Sequence, residues 1–201
     1  MNGLRETKKV ATKELIAECA VRIALIDGID KLTVARVTAA ADVSPRTFHN
    51  YFPSRDSALR WYLEKHLVEL RKKIIEHIKQ EESILNAVET IILEGLEEDL
   101  NSPSSLLSLY HLGQILETID YGTTTKVWST VLSEGLNQLT PLTDLSEFEC
   151  YTILSIAAEA GLKATGYQYP NLSKKAVIKN VRWTFDLLRN GVNPTYGLSH
   201  P

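Results

Sequence analysis

The sequence holds only two cysteines, Cys19 and Cys150, 131 positions apart. That spacing excludes a CxxC redox pair, a zinc ribbon and a disulfide-dense secreted scaffold. No apolar run approaches the roughly 20 residues needed to span a bilayer. The opening MNGLRETKKVATKE is too charged to contain the apolar region of a signal peptide. A cytoplasmic, soluble chain is expected. No stretch alternates apolar and polar residues convincingly, and no Asn-Gly or Asp-Gly pair joins two such stretches, so hairpins are not expected. Catalytic signatures are missing too: there is no HExxH, no ExxH pair, no P-loop, no GxGxxG and no GxSxG. His66, His77 and His111 have no metal-ligand spacing with one another or with cysteine. An enzyme, a metal site and a cofactor are therefore not expected.

What remains is an ordinary globular composition: 201 residues, 44% hydrophobic and 23% charged, enough for one generous domain or two small ones. The formal charge is −3, from 22 basic and 25 acidic residues, which excludes a uniformly basic nucleic-acid coat. The ends differ, however. Residues 1–55 carry nine Lys/Arg and six acids, a balance of +3, and residues 56–201 carry thirteen and nineteen, a balance of −6. The N-terminal part is the half suited to an anionic partner.

Apolar periodicity is helical almost throughout, with Gly and Pro at the joints. The expected fold is all-α with about nine helices, over 8–27, 33–41, 45–52, 56–79, 83–99, 103–119, 123–139, 145–167 and 173–190. The first three end at Pro53, and a long, strongly patterned helix follows. A domain border is expected near residue 55, giving a 1–55 domain of three helices and a 56–201 helical domain.

The informative stretch is LTVARVTAAADVSPRTFHNYFPSRDSAL, residues 32–59. Thr33 suits the N-cap of one helix, and Ser44 caps the next, with Pro45 at its first position, where a missing N–H does no harm. A helix, a turn around Ala41-Asp42-Val43 and a helix form the geometry that lays a recognition helix in a DNA major groove. On a helical wheel Phe48, Tyr51 and Phe52 share one side. Arg46 and Asn50 fall opposite, flanked by Thr47 and His49, with no acid among them. Arginine pairs with guanine O6/N7 and asparagine with adenine N6/N7. Lys8, Lys9 and Lys13 are candidates for loose phosphate contacts.

Residues 12–59 resemble the DNA-binding domain of the tetracycline-repressor (TetR) family. The resemblance lies in the first helix, IAECAVRIALIDGIDKLTV, in the turn ADVS, and in RTFHNYFPSRDSAL, similar to the family's recognition helix and the start of its fourth helix. It implies a homodimeric transcription factor, usually a repressor, that binds a palindromic operator and is released by a small molecule. It also implies that Thr33, Pro45, Arg46, Thr47, His49, Asn50, Tyr51 and Arg55 touch DNA, with Ser44 at the head of the recognition helix. Arg46 and Thr47 would face bases, and Thr33, His49, Tyr51 and Arg55 phosphates. Two positions depart from the family: Asp42 stands where a turn glycine is usual, and His49 where an aromatic such as tyrosine is commoner. Asp tolerates left-handed backbone better than most residues, so the turn is expected to form. The alternative is an all-α ligand-binding or adaptor protein whose helix-turn-helix does not read DNA.

Toward the C-terminus, Ile178, Val181, Phe185, Leu188 and Val192 form a narrow apolar seam, and the preceding helix carries the small residues Ala157, Ala158, Ala160, Gly161 and Ala164. The pattern alone allows packing on the chain's own core. The resemblance implies dimerisation through the last two helices, with Ala157, Gly161, Ala164, Ile178, Val181, Phe185 and Leu188 at the interface. For an unknown small-molecule effector, the pocket candidates are Trp61, Tyr62, Tyr110, Gln114 and Trp128, drawn from a wider polar-aromatic set that includes His66, His111 and Tyr151.

Overall fold

The computed structural model describes residues 2–81, 83–97, 102–122, 126–127, 134–166 and 172–191. Its regular elements are α1 (Asn2–Asp27), a 3-10 turn (Ile29–Lys31), α2 (Val34–Ala40), α3 (Pro45–Tyr51), α4 (Arg55–Glu81), α5 (Ile84–Gly95) and α6 (Leu106–Ile119). A second 3-10 turn (Thr140–Leu142), α7 (Glu147–Ala164) and α8 (Lys174–Asn190) complete them. No strand occurs among the described residues, so the fold is all-α. The helix expected over 123–139 falls largely outside the described residues, although 126–127 and 134–139 are helical.

Short polar side chains start the helices. Thr33, Ser44, Ser83, Ser105, Ser146 and Ser173 each accept a hydrogen bond from a backbone N–H in the first turn of the helix that follows. These N–H groups have no partner inside the helix, and each such cap contributes about 1 kcal/mol. Ser105 explains why α6 begins at Leu106, later than the expected 103. At the far end of α1 the chain turns through Gly28 at φ 89°, a conformation open to glycine and costly for most other residues.

Two compact units divide the chain: Met1–Leu70 with Leu100–Val131, and Arg71–Asp99 with Leu132–Pro201. In the first, α1 contributes Ile16, Ala17, Ala20, Val21 and Ala24 to a core shared with Leu32, Val37, Phe48 and Phe52. That core runs on through Ala58, Leu59, Tyr62, Leu63 and Leu67 of α4 and Leu109, Leu112 and Leu116 of α6. The unit therefore extends well past residue 55, because α4 keeps burying side chains in the same cluster for three further turns. In the second unit α5 packs on α7 and α8, which also pack on each other. Ile84, Ala87, Val88, Ile91 and Ile92 meet Leu154, Ala157, Val177, Val181 and Phe185 there, all buried.

Candidate nucleic-acid interface

The helix-turn-helix rests on a fully buried Phe48, which packs on Phe52 with ring centroids 6.0 Å apart, and Phe52 in turn meets Trp61 of α4 at 5.9 Å. This aromatic row holds α3 against α4. The turn between α2 and α3 passes through Asp42 at φ 50°, the one non-glycine residue with positive φ among those described. Val43 N donates back to Thr38 O at 3.0 Å and closes it. The aspartate thus does what a glycine would do, at modest strain.

The outward side of α3 has the composition expected from the wheel. Arg46, His49 and Asn50 are exposed, Thr47 and Tyr51 half-buried, and Pro45 and Ser44 exposed at the helix start. Ser44 Oγ accepts from Thr47 N at 3.0 Å and lies 2.8 Å from Thr47 Oγ1. The His49 ring stands edge-on to Phe48 at 5.4 Å, so its position is partly fixed from beneath. Thr33 is exposed, its hydroxyl accepting from Arg36 N at 3.2 Å.

Four other arginines of the head have partners within the chain. Arg22 pairs with Glu18 at 2.8 Å, Arg36 with Asp27 at 2.5 Å and Arg60 with Asp120 at 3.5 Å. Arg55 donates to Leu32 O and, at 3.4 Å, to Ile29 O, and pairs with Asp56 at 3.4 Å. Arg46 alone of these five engages no acid or carbonyl among the described residues. Asn50 has no hydrogen-bond partner among them either. A guanidinium and an amide held side by side on an exposed helix face, with no internal partner, are free to bond an external one.

Residues 11–59 match the sequence pattern of the bacterial regulatory proteins of the tetR family. The chain carries a tetR-family domain. No curated protein sequence matches the chain. Among solved structures, a transcriptional regulator from Rhodococcus sp. Rha1 superposes with a TM-score of 0.62 over 90% of this chain and 99% of that one, at 15% identity. At that identity the likeness speaks for the fold, and it reaches well beyond the tetR-family head.

The remaining residues singled out from sequence are distributed differently from the expectation. Lys13 Nζ lies over the rings of Trp61, at 4.6 Å, and Phe52, at 5.4 Å, so it clamps α1 to the aromatic row and is not a loose phosphate contact. Of the expected dimer residues, Ala157, Gly161, Val181 and Phe185 are buried inside their own unit, and Ala164, Ile178 and Leu188 are half-buried. A Cβ added at Gly161 would stand 2.8 Å from Phe185 Cε2, so the small residue admits a ring of its own chain. The large apolar side chains that α7 and α8 do expose are Phe148 at 76%, Tyr151 at 44%, Ile156 at 51% and Trp183 at 52%. Sequence reasoning placed Tyr151 among the pocket candidates and passed over Phe148, Ile156 and Trp183, which lie off the seam that periodicity picks out.

The pocket candidates differ in their surroundings. Trp61 belongs to the aromatic row, Gln114 is exposed, Tyr110 is half-buried, and Trp128 lies outside the described residues. Tyr62 is buried against His66, ring centroids 4.2 Å apart. Burial first, and the Glu18 charge second, push its phenol up to about 12. Burial, then Lys65, holds the His66 imidazole below its ordinary range. A cleft of about 810 Å3 lies in the second unit, lined by Ser83, Leu85, Leu142, Thr143, Ile153 and Leu188 among others.

Proposed function

We propose that the chain is a sequence-specific regulator of transcription that binds double-stranded operator DNA through α3 as a homodimer, most simply as a repressor released by a small molecule. One observation carries the DNA reading: Arg46 and Asn50 stand exposed on a face without acids, with no partner among the described residues, while Arg22, Arg36, Arg55 and Arg60 are engaged in internal pairs. Buried or paired, the same residues would be structural. Left open, they match the donor and acceptor patterns of guanine and adenine edges in a major groove.

Homodimerisation is supported by the likeness of residues 11–59 to the tetR family and by the outward faces of α7 and α8. Those faces carry Phe148, Tyr151, Ile156 and Trp183 exposed, apolar surface that a partner copy would bury. We place the partner copy on this face, because the seam of Val181 and Phe185 is already filled by the chain itself. Two-fold symmetry would then set two recognition helices about 34–36 Å apart, one turn of DNA. For the effector, the open cleft in the second unit is the candidate site, and Ile156 of the proposed partner face lines it too.

Selection of bound duplexes from a random pool by the full chain tests the reading. It should recover a two-fold symmetric sequence with half-sites about 10 base pairs apart, centre to centre. Recovery of unenriched sequence at low salt would favour the alternative, a helical binding protein whose helix-turn-helix does not read DNA.

A further inference from the structure

We propose that Ser44 is a positioning residue for base recognition: by holding the Thr47 hydroxyl it decides which edge of Thr47 the DNA meets. The inference rests on the DNA-reading function proposed above and deepens it. Ser44 Oγ already serves as the N-cap of α3, accepting from Thr47 N at 3.0 Å. It also lies 2.8 Å from Thr47 Oγ1, so one of the two hydroxyls donates to the other. A hydroxyl has one proton and two acceptor positions. If Ser44 donates, its proton is spent and Thr47 keeps the one proton available to an outside acceptor. If Thr47 donates, Ser44 accepts twice and holds the available proton. In both cases the pair offers one donor, and Thr47 is confined to a single side-chain rotamer.

That confinement matters because a threonine on a helix otherwise divides between two rotamers. Rotation between them exchanges the methyl and the hydroxyl. A methyl favours the thymine methyl group, and a hydroxyl favours a hydrogen-bonding base edge. A freely rotating Thr47 would therefore accommodate several bases at one position, whereas a pinned one discriminates. Nothing else among the described residues bonds the Thr47 hydroxyl. The neighbouring capped helix starts lack this consequence, since their caps do not sit beside the Arg46 and Asn50 face.

The cap and the grip can be separated. Glycine replaces an N-cap serine at a loss of only a few tenths of a kcal/mol, yet has no side chain to hold the Thr47 hydroxyl. The test is duplex selection with the full chain, reading base frequencies position by position for wild type, Ser44→Gly, Ser44→Thr and Thr47→Val, with helicity checked by circular dichroism. Ser44→Gly should relax preference about fivefold, the worth of one hydrogen bond, at a single position per half-site. That position should be the one altered by Thr47→Val, and Ser44→Thr should restore the wild-type profile there. Retention of the wild-type profile by the folded Gly variant overturns the proposal. So does an equal flattening at every position, which would indicate a merely structural cap. If wild type itself selects no sequence, the DNA-reading function fails and the proposal with it, an outcome distinct from the other two.

Discussion

Gly161 separates a residue packed in the chain's own core from one reserved for a partner copy. A Cβ placed there meets the Phe185 ring at 2.8 Å from Cε2 and 3.1 Å from Cζ, as well as the tip of Ile92. The Ile92 tip can rotate aside, but Phe185 is fully buried and must carry its ring with it. Overpacking of this kind costs about 1–3 kcal/mol. Against it, alanine favours a helix interior over glycine by about 1 kcal/mol. Gly161→Ala should therefore destabilise the chain by up to about 2 kcal/mol and, at this length, lower the melting temperature by up to about 8 °C. Phe185→Leu in the same chain should recover part of the loss by making room. Urea unfolding followed by circular dichroism, repeated across protein concentrations, measures the effect and shows whether it depends on association. A Gly161→Ala chain more stable by about 1 kcal/mol would report helix propensity alone and refute the packing of α7 on Phe185.

The dimer face makes a paired prediction. Phe148→Glu combined with Trp183→Glu should give folded monomers by sedimentation, whereas Phe185→Glu buries a carboxylate at a cost of several kcal/mol and should unfold the second unit. A folded monomer from Phe185→Glu would return the interface to the seam expected from sequence. Arg55→Ala, which removes the guanidinium donor to Leu32 O and the second donor to Ile29 O, should cost the head about 1–2 kcal/mol and leave the salt dependence of DNA binding unchanged. A salt slope reduced by about 1 would make it a phosphate contact after all. Tyr62, with its phenol raised to about 12, should leave part of the tyrosine absorbance change to appear only well above pH 10 in a spectroscopic titration. Its raised value stabilises the fold fully below about pH 10, and that stability is lost as pH climbs through 12, so Tyr62→Phe should resist alkaline unfolding better than wild type. Ionisation of all eight tyrosines together near pH 10 would contradict its burial.

The head was legible because its signals are local. A capping threonine or serine, a proline in the first turn and aromatics three and four apart each act within a few residues, so α2, the turn and α3 could be placed to within a residue or two. Asp42 was legible for the same reason: a left-handed turn is a property of one backbone position. The fate of Arg55 was not, because its partners are carbonyls 23 and 26 positions earlier that only the folded head brings within reach. Lys13 likewise reads as a loose surface charge until α1 is laid against Trp61. The same holds for α7 and α8, where periodicity correctly marked an apolar seam but cannot say what fills it. The chain's own α5 does, leaving Phe148 and Trp183, which sit off the seam, exposed as the surface proposed for a partner.

The central claim is that the unpartnered Arg46 and Asn50 read base edges, and the most direct measurement is equilibrium binding of wild type, Arg46→Ala and Asn50→Ala to a selected operator and to its single-base variants at fixed salt. Each substitution should cost about 1–3 kcal/mol on the operator, lose discrimination at its own base pair, and leave non-specific binding nearly intact. Equal operator affinity for all three proteins, with base preferences unchanged, would contradict it.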